Sequence, residues 1–471
     1  MQIRILHLTA ACFGASGDFG ALFIDEVPAR LAKQFEFAED RATLSAMNMS
    51  QSKQKLFSSM NIAILVAALG YFVDVYDLIL FNVVRWQSLE DLGLTMEQQA
   101  QTGVWLLNLQ LIGMLGGGVL WGVLGDLRGR RSVLFGSIIL YSLANFLNAG
   151  VGATSGPLAF MGGFDAISTY GILRFVAGVG LAGELGAGVT LVAEISSRHG
   201  RGIAVTLIGA VGVVGAIAAG VVNEFTGWRM SYAIGGVMGL ALLALRFAVF
   251  ESGLFDAMKS ESSNLTRGLL PILKSWTLAL RLIKVVVVGM PIWFTLAILV
   301  GLAPKIASEM GLSPAPKPGH LVALFYSGAI FGDIASGLLS QRLKSRKIPI
   351  GIFMFGTTVA CAMVLLLGPR SAAWYGAATV VMGFFSAYWI VVITTASELF
   401  GTNVRATVTT MTPNLIRASA VPVTILFTAV ANPLGAVGAA WLSGGLCFAL
   451  AAIALWRLPE PFGRDLDYYE K

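Results

Sequence analysis

The chain is dominated by apolar runs of about 20 residues, a length that suffices to cross a hydrocarbon core roughly 30 Å thick. We predict spans at about 60–84, 101–125, 132–150, 169–194, 203–224, 231–250, 284–309, 320–340, 350–368, 372–397, 407–430 and 435–457. Short polar segments separate the runs. A chain with roughly twelve such runs is expected to fold as an all-α polytopic membrane protein.

Composition supports this class. Of 471 residues, 56% are hydrophobic and 12% are charged, whereas soluble domains carry about 25% charged residues. The net charge of +6 does not indicate nucleic-acid binding, because Lys and Arg lie between the spans. The three cysteines, Cys12, Cys361 and Cys447, are scattered, so we expect neither disulfides nor a metal site, and no cofactor.

One basic phrase occurs once in each half of the chain. It runs from Gly122 to Arg131 after the second span and from Gly337 to Lys347 after the eighth. A second repeat places Glu194 and Arg201 after the fourth span, and Glu398 and Arg405 after the tenth. Such repeats predict two six-helix bundles related by pseudo-two-fold symmetry.

The connecting segments differ in basic charge between the two sides of the membrane. Most Lys and Arg residues share one side, and the other side has only Arg85, Arg229, Lys305, Lys317 and Arg370. By the positive-inside rule the richer side is cytoplasmic. We therefore expect both termini to be cytoplasmic and place the protein in a bacterial inner membrane.

This topology divides the chain into five parts. Residues 57–250 form the first six-helix half, 251–283 a cytoplasmic linker, 284–457 the second half and 458–471 a cytoplasmic tail. Residues 1–56 form an N-terminal extension whose apolar stretch is broken by Gly14, Gly17 and Asp18. It is a poor signal peptide. It is either a cytoplasmic extension or a start-site artefact, with the true start at Met47, Met49 or Met60.

The repeated phrases predict gates. A carboxylate near guanidinium groups of the next turn forms charge pairs that can break when helices move. Ordinary positive-inside charge is the alternative, but it does not account for Asp126 or for the glycines. The predicted gating residues are Gly122, Asp126, Arg128, Gly129, Arg130, Arg131, Glu194, Arg201, Gly337, Arg346, Glu398 and Arg405.

Charged residues inside the spans are candidates for transport chemistry, because each costs about 2.5–3.5 kcal/mol on insertion scales. Asp74 and Asp77 lie at i and i+3 on the first span, and the fourth carries Arg174 and Glu184. We expect Asp74, Asp77 and Glu184 to carry a proton, and Asp77 to pair with Arg174. The alternative is a static pair that fixes the helices.

Arg417 is the only arginine within the spans of the second half. A guanidinium in a dry environment needs a partner, which we expect to be an anionic solute. Packing against Asp333 is the alternative. Asn108, Gln110 and Asn414 provide uncharged polar groups within the spans.

These motifs identify a resemblance. From residue 60 to 467 the chain resembles major facilitator superfamily transporters, whose signature between the second and third helices is similar to Gly122–Arg131, with Leu127 replacing a frequent basic residue. The run Arg174-x3-Gly178-x-Gly180-x2-Gly183-Glu184 resembles the fourth-helix motif of proton-coupled members. Glu251-Ser252 and the segment from Leu458 to Asp467 resemble the half-terminal signatures of sugar and organic-anion carriers.

The resemblance is nearest to the metabolite and organic-anion:proton symporters. Gly70–Leu78 resembles the first helix of phosphate and aromatic-acid symporters, and Arg417 resembles the eleventh-helix arginine of aromatic-acid carriers. The fourth and seventh spans lack the aspartates that phosphate symporters carry there, which disfavours phosphate as the substrate. The seventh and tenth spans resemble cavity-lining helices, so Trp293, Tyr388 and Trp389 are candidate substrate contacts; packing in the core or against lipid is the alternative.

The sequence thus predicts a secondary transporter that moves a small organic anion by alternating access with proton symport. It functions as a monomer in the bilayer, with a small-molecule substrate and protons as partners and no nucleic acid. The alternatives are a proton-independent facilitator or sugar-type symporter, in which the same charges are structural, and a transport-dead sensor. An enzyme is disfavoured because His7, His199 and His320 lie far apart, and no phosphate-binding loop supports ATP drive.

Overall fold

The computed structural model describes residues 65–128, 130–155, 157–183, 201–251, 271–272, 274–367, 371–463 and 469–470. The side chains of residues 125–132, 201–208, 210, 248–251, 367 and 406 are outside this description. The predicted extension over residues 1–56 is likewise outside it, as is most of the predicted linker.

All regular secondary structure in the described residues is helical. In chain order the helices are α1 (Leu65–Asp91), α2 (Met96–Arg128), α3 (Arg130–Asn148), α4 (Ala166–Leu181), α5 (Arg201–Glu251), α6 (Trp276–Phe294), α7 (Ala303–Glu309), α8 (Pro318–Leu343), α9 (Lys347–Leu367), α10 (Ala372–Ser386), α11 (Trp389–Leu399), α12 (Thr402–Ala418) and α13 (Ala420–Arg457). A π-helix, Thr295–Val300, joins α6 to α7.

Eight stretches of the described residues are long and apolar enough to cross a membrane, and α3 and α4 supply two shorter apolar helices. Two helices each contain two passages, because α5 turns at Gly227 (φ 76°) and α13 turns at Gly435 (φ 71°). Glycine adopts such positive φ values without steric cost. Within the described residues, a helical passage therefore overlaps each of the twelve predicted spans, the fourth only as far as Leu181.

The two halves use the same close helix pairing. A Cβ atom at Gly178 of α4 would overlap the Gln110 carbonyl of α2, and one at Gly383 of α10 would overlap the Phe325 carbonyl of α8. In each half, the fourth passage thus packs on the second through a glycine. The all-α architecture of two related bundles follows the duplication seen in the sequence.

Two helices extend beyond the predicted limits of their spans. The first span was expected to end near 84, but α1 continues to Asp91 without a glycine or proline to stop it. Arg85 therefore lies inside a buried helix and not in an outer loop; its exposed fraction is 1%. The seventh passage begins at Trp276, after Ser275, so it includes residues that were assigned to the linker up to 283.

Three passages of the second half are irregular in the middle. The seventh changes to π-helix at Thr295, the tenth breaks between Ser386 and Trp389, and the eleventh breaks at Ser419. Pro422 lacks the N–H group that would bond to the Ala418 carbonyl, which accounts for the last break. Irregular backbone inside a membrane bundle is tolerated where it is buried or lines a cavity.

Candidate functional site

A cavity of about 270 Å³ lies between the two halves. Helices α1 and α5 form its wall in the first half, and the irregular passages with α8 form its wall in the second. Its lining residues include Tyr71, Val75, Leu78, Gly209, Trp293, Leu296, Phe325, Tyr326, Asp333, Trp389, Ile390, Thr394, Thr409, Thr410, Pro413 and Arg417. A mostly apolar cavity with a few convergent polar groups is the usual form of a small-molecule site.

Arg417 provides the positive charge of this cavity. Its side chain is 2% exposed, Nη1 donates to Asn414 Oδ1 at 3.3 Å, and Nε has no partner. The guanidinium carbon lies 6.0 Å from the centre of the Trp389 ring. Among the described residues, no carboxylate forms a salt bridge with it. Arg417 can therefore still bind an anion.

Asp333 of α8 faces the same cavity, and its Oδ1 has no hydrogen-bond partner. It is not locked to Arg417, which was the alternative raised by the sequence. The charges of Arg417 and Asp333 both act on the phenol groups of Tyr71 and Tyr326. The cavity thus has a cation, a carboxylate and two phenol groups among aromatic walls.

A second cluster of buried charge lies inside the first half. Asp77 and Arg174 are both 0% exposed. The predicted direct ion pair between them does not form: Arg174 Nη2 donates to Asn145 Oδ1 at 2.6 Å, and neither Asp77 oxygen has a hydrogen-bond partner. Arg174 is still the cation that acts most strongly on Asp77, with Asp74 the neighbouring carboxylate on α1.

Tyr232 of α5 completes this cluster. The Arg174 guanidinium carbon lies 4.7 Å from the centre of the Tyr232 ring, within the range of a cation–π contact. A Cβ atom at Gly235 would overlap Asp77 Oδ1, so α5 packs directly on the carboxylate. Arg174 is therefore held by an amide and an aromatic ring while its charge faces Asp77.

Contacts between the halves close one end of the molecule. We call this end outer and the end with the basic phrases inner, following the charge distribution. Arg85 Nη2 donates to the Ala297 carbonyl at 3.4 Å, and Trp86 Nε1 donates to the Gly301 carbonyl at 2.8 Å. Glu97 of α2 pairs with Lys305 of α7 at 2.7 Å. These contacts join the first two helices to the irregular seventh passage.

Two predicted gating residues meet at the inner end of the second half. Arg346 binds Glu398 through two parallel hydrogen bonds, Nε to Oε2 at 2.9 Å and Nη2 to Oε1 at 2.7 Å. Its guanidinium also lies 4.8 Å from the Phe462 ring. All of these residues belong to one half, so the pair ties helices of that half together and does not bridge the two halves.

Glu460 extends this network after α13. Its carboxylate accepts hydrogen bonds from the Ser345 hydroxyl and from the backbone N–H groups of Arg346, Lys347 and Phe462. Burial raises the pKa of the Glu460 carboxyl, but the hydrogen bonds outweigh burial and hold that pKa below its usual value. The sequence placed Glu460 in a signature segment but did not identify its partner.

Other predicted substrate contacts have different surroundings. The Tyr388 hydroxyl donates to the Val288 carbonyl at 3.2 Å, and Tyr388 is not among the residues that line this cavity. Asn108 accepts a hydrogen bond from Thr424 at 2.8 Å, which joins the halves. Gln110 is buried on α2 outside the cavity lining. Trp293 and Trp389 do line the cavity.

The remaining gating predictions are only partly described. Gly337 lies on α8 with open space around its Cβ position, Gly122 is half-buried on α2, and Arg405 Nε donates to the Phe400 carbonyl at 3.1 Å. Glu184, Glu194 and Gly129 lie outside the described residues, as do the side chains of Asp126, Arg128, Arg130, Arg131 and Arg201.

Sequence reasoning missed two parts of the site. It gave no role to Tyr71 or Tyr326 in the cavity, and it did not connect Tyr170 and Tyr232 with Arg174. Tyr170 precedes Arg174 by one helical turn and Tyr71 precedes Asp74 by three residues, so helical spacing from the charged residues was an available signal. Among the described residues, no cluster of three or more acidic, His or Cys side chains could hold a metal ion.

Comparison with known proteins relates the sequence to one family of membrane transporters. The sequence model of the Major Facilitator Superfamily matches residues 57–421. The chain is 30% identical over 191 residues to a niacin transporter of Acinetobacter baylyi, covering 40% of each protein. It is 26% identical over 268 residues to the 3-(3-hydroxy-phenyl)propionate transporter of Escherichia coli, covering 55% of this chain and 60% of that protein. The matched segments thus span less than two thirds of these relatives.

A solved structure shows the same fold. The inward-open xylose transporter of E. coli superposes with a TM-score of 0.63 at 17% identity, over 87% of this chain and 98% of that one.

Proposed function

The chain belongs to the Major Facilitator Superfamily, and we propose that it moves a small organic anion together with a proton by alternating access. It is a membrane transporter and not an enzyme. The observation that supports an anionic substrate is Arg417, a guanidinium on the cavity wall that no described carboxylate neutralises. Arginine suits a carboxylate because its planar donors can make two parallel hydrogen bonds.

The cavity favours an aromatic or heteroaromatic carboxylate. Trp293 and Trp389 supply flat apolar walls beside Arg417. The cavity volume of about 270 Å³ lies just below the range of about 300–1,000 Å³ for small-molecule sites, which favours a small substrate. Two relatives are described as transporters of niacin and of 3-(3-hydroxy-phenyl)propionate. Both compounds are small ring-bearing acids, which agrees with such a site.

We assign the coupled proton to Asp77, with Asp74 and Glu184 as further candidates. Asp77 is buried beside Arg174, so a proton on its carboxylate removes the negative charge that Arg174 faces. Arg174 is then held only by Asn145 and Tyr232. Protonation thus weakens the electrostatic attraction between α1 and α4, next to α5, and so links proton binding to helix movement.

Asp333 gives the cavity a second link between substrate and proton. An ionised carboxylate there would repel an anionic substrate, so a bound anion and a proton on Asp333 favour each other. We also propose that the carrier is a monomer in a bacterial inner membrane with both termini cytoplasmic. The concentration of basic residues at the inner end supports this orientation.

The test uses purified protein in liposomes with radiolabelled niacin and 3-(3-hydroxy-phenyl)propionate. The parent should accumulate at least one of these acids when the outer solution is more acidic, and an internal dye should report proton entry. Asp77→Asn should abolish accumulation while retaining exchange of substrate across the membrane, because the neutral amide imitates a carboxyl that stays protonated. Tyr375→Phe is the control and should accumulate substrate normally. It removes a buried hydroxyl that donates to the Leu299 carbonyl, and both residues lie in the second half, away from Asp77.

Two outcomes contradict the proposal. Full accumulation by Asp77→Asn would exclude Asp77 as the proton carrier. Uptake by the parent that ignores the proton gradient would indicate a facilitator.

A further inference from the structure

Three buried hydroxyl groups form a line on the outer side of Asp77. Ser88 Oγ of α1 lies 3.1 Å from the Tyr170 hydroxyl of α4, which lies 2.9 Å from the Tyr232 hydroxyl of α5. Each of the three residues is 0% exposed. Either member of each pair can donate, so the direction of every hydrogen bond can reverse. We call Ser88, Tyr170 and Tyr232 the hydroxyl chain.

The inner end of the hydroxyl chain reaches the Asp77 cluster. Tyr232 precedes Gly235 by three residues on α5, and Gly235 packs against Asp77 Oδ1. Tyr170 precedes Arg174 by one turn on α4, and Arg174 lies over the Tyr232 ring. The charges of Arg174 and Asp77 both act on Tyr232. The inner end of the hydroxyl chain therefore lies about one helical turn outward of the Asp77 carboxylate.

The Tyr232 hydroxyl and the Asp77 carboxylate are not hydrogen-bonded to each other, so a transfer between them needs a bridging group. Both oxygens of Asp77, and Nε and Nη1 of Arg174, are buried without a protein partner. Buried polar groups of this kind are the usual partners of an internal water molecule, which makes two to four hydrogen bonds. One such water would join the Tyr232 hydroxyl to the Asp77 carboxylate.

The outer end of the chain leads toward solvent. Ser88 Oγ can also donate to the Arg85 carbonyl at 3.1 Å. Asp91 lies one turn further along α1, with its side chain 53% exposed and paired with Arg229 at 3.2 Å. Trp228 contacts both Asp91 and the hydroxyl chain, because its Nε1 donates to Asp91 Oδ2 and its ring stacks on Tyr170. A water-accessible carboxylate thus stands above the first hydroxyl.

We propose that the hydroxyl chain is the route by which protons pass between the outer solution and Asp77. A proton from water near Asp91 adds to Ser88 Oγ as the Ser88 proton moves to Tyr170. The Tyr170 proton moves to Tyr232, and the Tyr232 proton passes through the bridging water to the Asp77 carboxylate. Each hydroxyl keeps one proton, and one proton is transferred in total. This inference rests on the proposed function, since only a proton-coupled carrier needs such a route.

The charged groups around the chain are compatible with a controlled transfer. Arg174 faces its inner end and Arg229 lies near its outer end, while the carboxylates are Asp74 and Asp77 inside and Asp91 outside. The Arg85 guanidinium is directed away from the hydroxyl chain, toward the Ala297 carbonyl of the second half. A guanidinium over Tyr232 repels an excess proton at that point. Transfer then depends on where Arg174 is held, which in this structure is against Asn145.

The test replaces the tyrosines by phenylalanine, which removes one oxygen and keeps the ring contacts of Phe81 with Tyr170 and of Tyr170 with Tyr232. In liposomes, Tyr170→Phe and Tyr232→Phe should slow proton-driven uptake from the outer side by about tenfold or more, since positioned proton-transfer groups typically contribute about 10²–10⁴-fold. Substrate exchange with no net proton movement should stay near the parent rate. Ser88→Ala should show the same pattern.

Tyr76→Phe is the matched control. The Tyr76 hydroxyl also joins α1 to α5, by donating to the Ser231 carbonyl at 3.0 Å, but it lies outside the hydroxyl chain. This variant should keep both rates. Parent-like proton-driven uptake by Tyr170→Phe and Tyr232→Phe would overturn the route while leaving the proposed function intact. Equal loss of uptake and exchange in all three chain variants would show a structural role and also overturn it. A parent without proton entry would refute the proposed function and this route together.

Discussion

The anion site predicts a specific effect of Arg417→Lys. In the structure Arg417 uses Nη1 for Asn414 and has an unpartnered Nε, so its planar edge can offer a carboxylate two hydrogen bonds. Lysine keeps the charge but cannot make two parallel bonds. The variant should therefore lose one charge-assisted hydrogen bond, which is worth about 1.5–3 kcal/mol. That energy corresponds to a loss of affinity of about 10- to 150-fold.

The assay is titration calorimetry of the purified transporter with niacin and 3-(3-hydroxy-phenyl)propionate, and Arg342→Lys is the control. Arg342 is an exposed arginine near the end of α8, so its replacement should leave affinity unchanged. The melting temperature of ligand-free Arg417→Lys should also stay close to that of the parent, because no described carboxylate of the protein pairs with Arg417.

The reasoning would be refuted by a lysine variant that binds both acids as tightly as the parent. It would also fail if Arg417→Lys unfolded the ligand-free protein at a much lower temperature, since that result would assign Arg417 to packing.

Two further predictions concern the inner end of the second half. Glu398→Gln should lower the free energy of unfolding by about 3 kcal/mol, because it leaves the largely buried Arg346 without its charge partner. The control is Glu224→Gln at the exposed pair with Lys317, which should cost under about 1 kcal/mol. Equal shifts in melting temperature for the two variants would contradict a stabilising role for the Arg346–Glu398 pair. Glu460→Gln should lower the melting temperature at pH 7. The pKa of Glu460 is held below its usual value, so its stabilisation is complete above the unfolded pKa of about 4.3 and disappears as the pH falls through the lower folded pKa. Melting curves between pH 7 and pH 3 check this: the difference between parent and variant should shrink as the pH falls, and a difference that stays constant or grows would contradict it.

The membrane architecture could be predicted because its signals are local. The length of each apolar run can be read directly from the sequence. The duplication is visible in the repeated basic phrases without any knowledge of contacts between helices. Asp74, Asp77, Arg174 and Arg417 were found for the same reason, since a charge inside an apolar run is unusual wherever the run packs.

The partners of these charges could not be predicted in the same way. Arg174 and Asp77 were expected to pair, but Asn145 of α3 and Tyr232 of α5 hold the guanidinium. Partner choice depends on how several helices rotate about their axes, and sequence spacing along one helix does not determine that. Tyr388 illustrates the same limit, because the break before Trp389 turns neighbouring side chains in different directions.

The sequence by itself determined that this chain crosses the membrane as two related six-helix halves and which ionisable groups lie within it. Only the tertiary structure decided that Arg417 and Asp333 share one cavity while Arg346 and Glu398 brace one half. It also decided that Arg85 is buried between the halves and that Ser88, Tyr170 and Tyr232 meet. The physical reason is that hydropathy is a property of each segment, whereas hydrogen bonds among buried groups arise where separate helices pack.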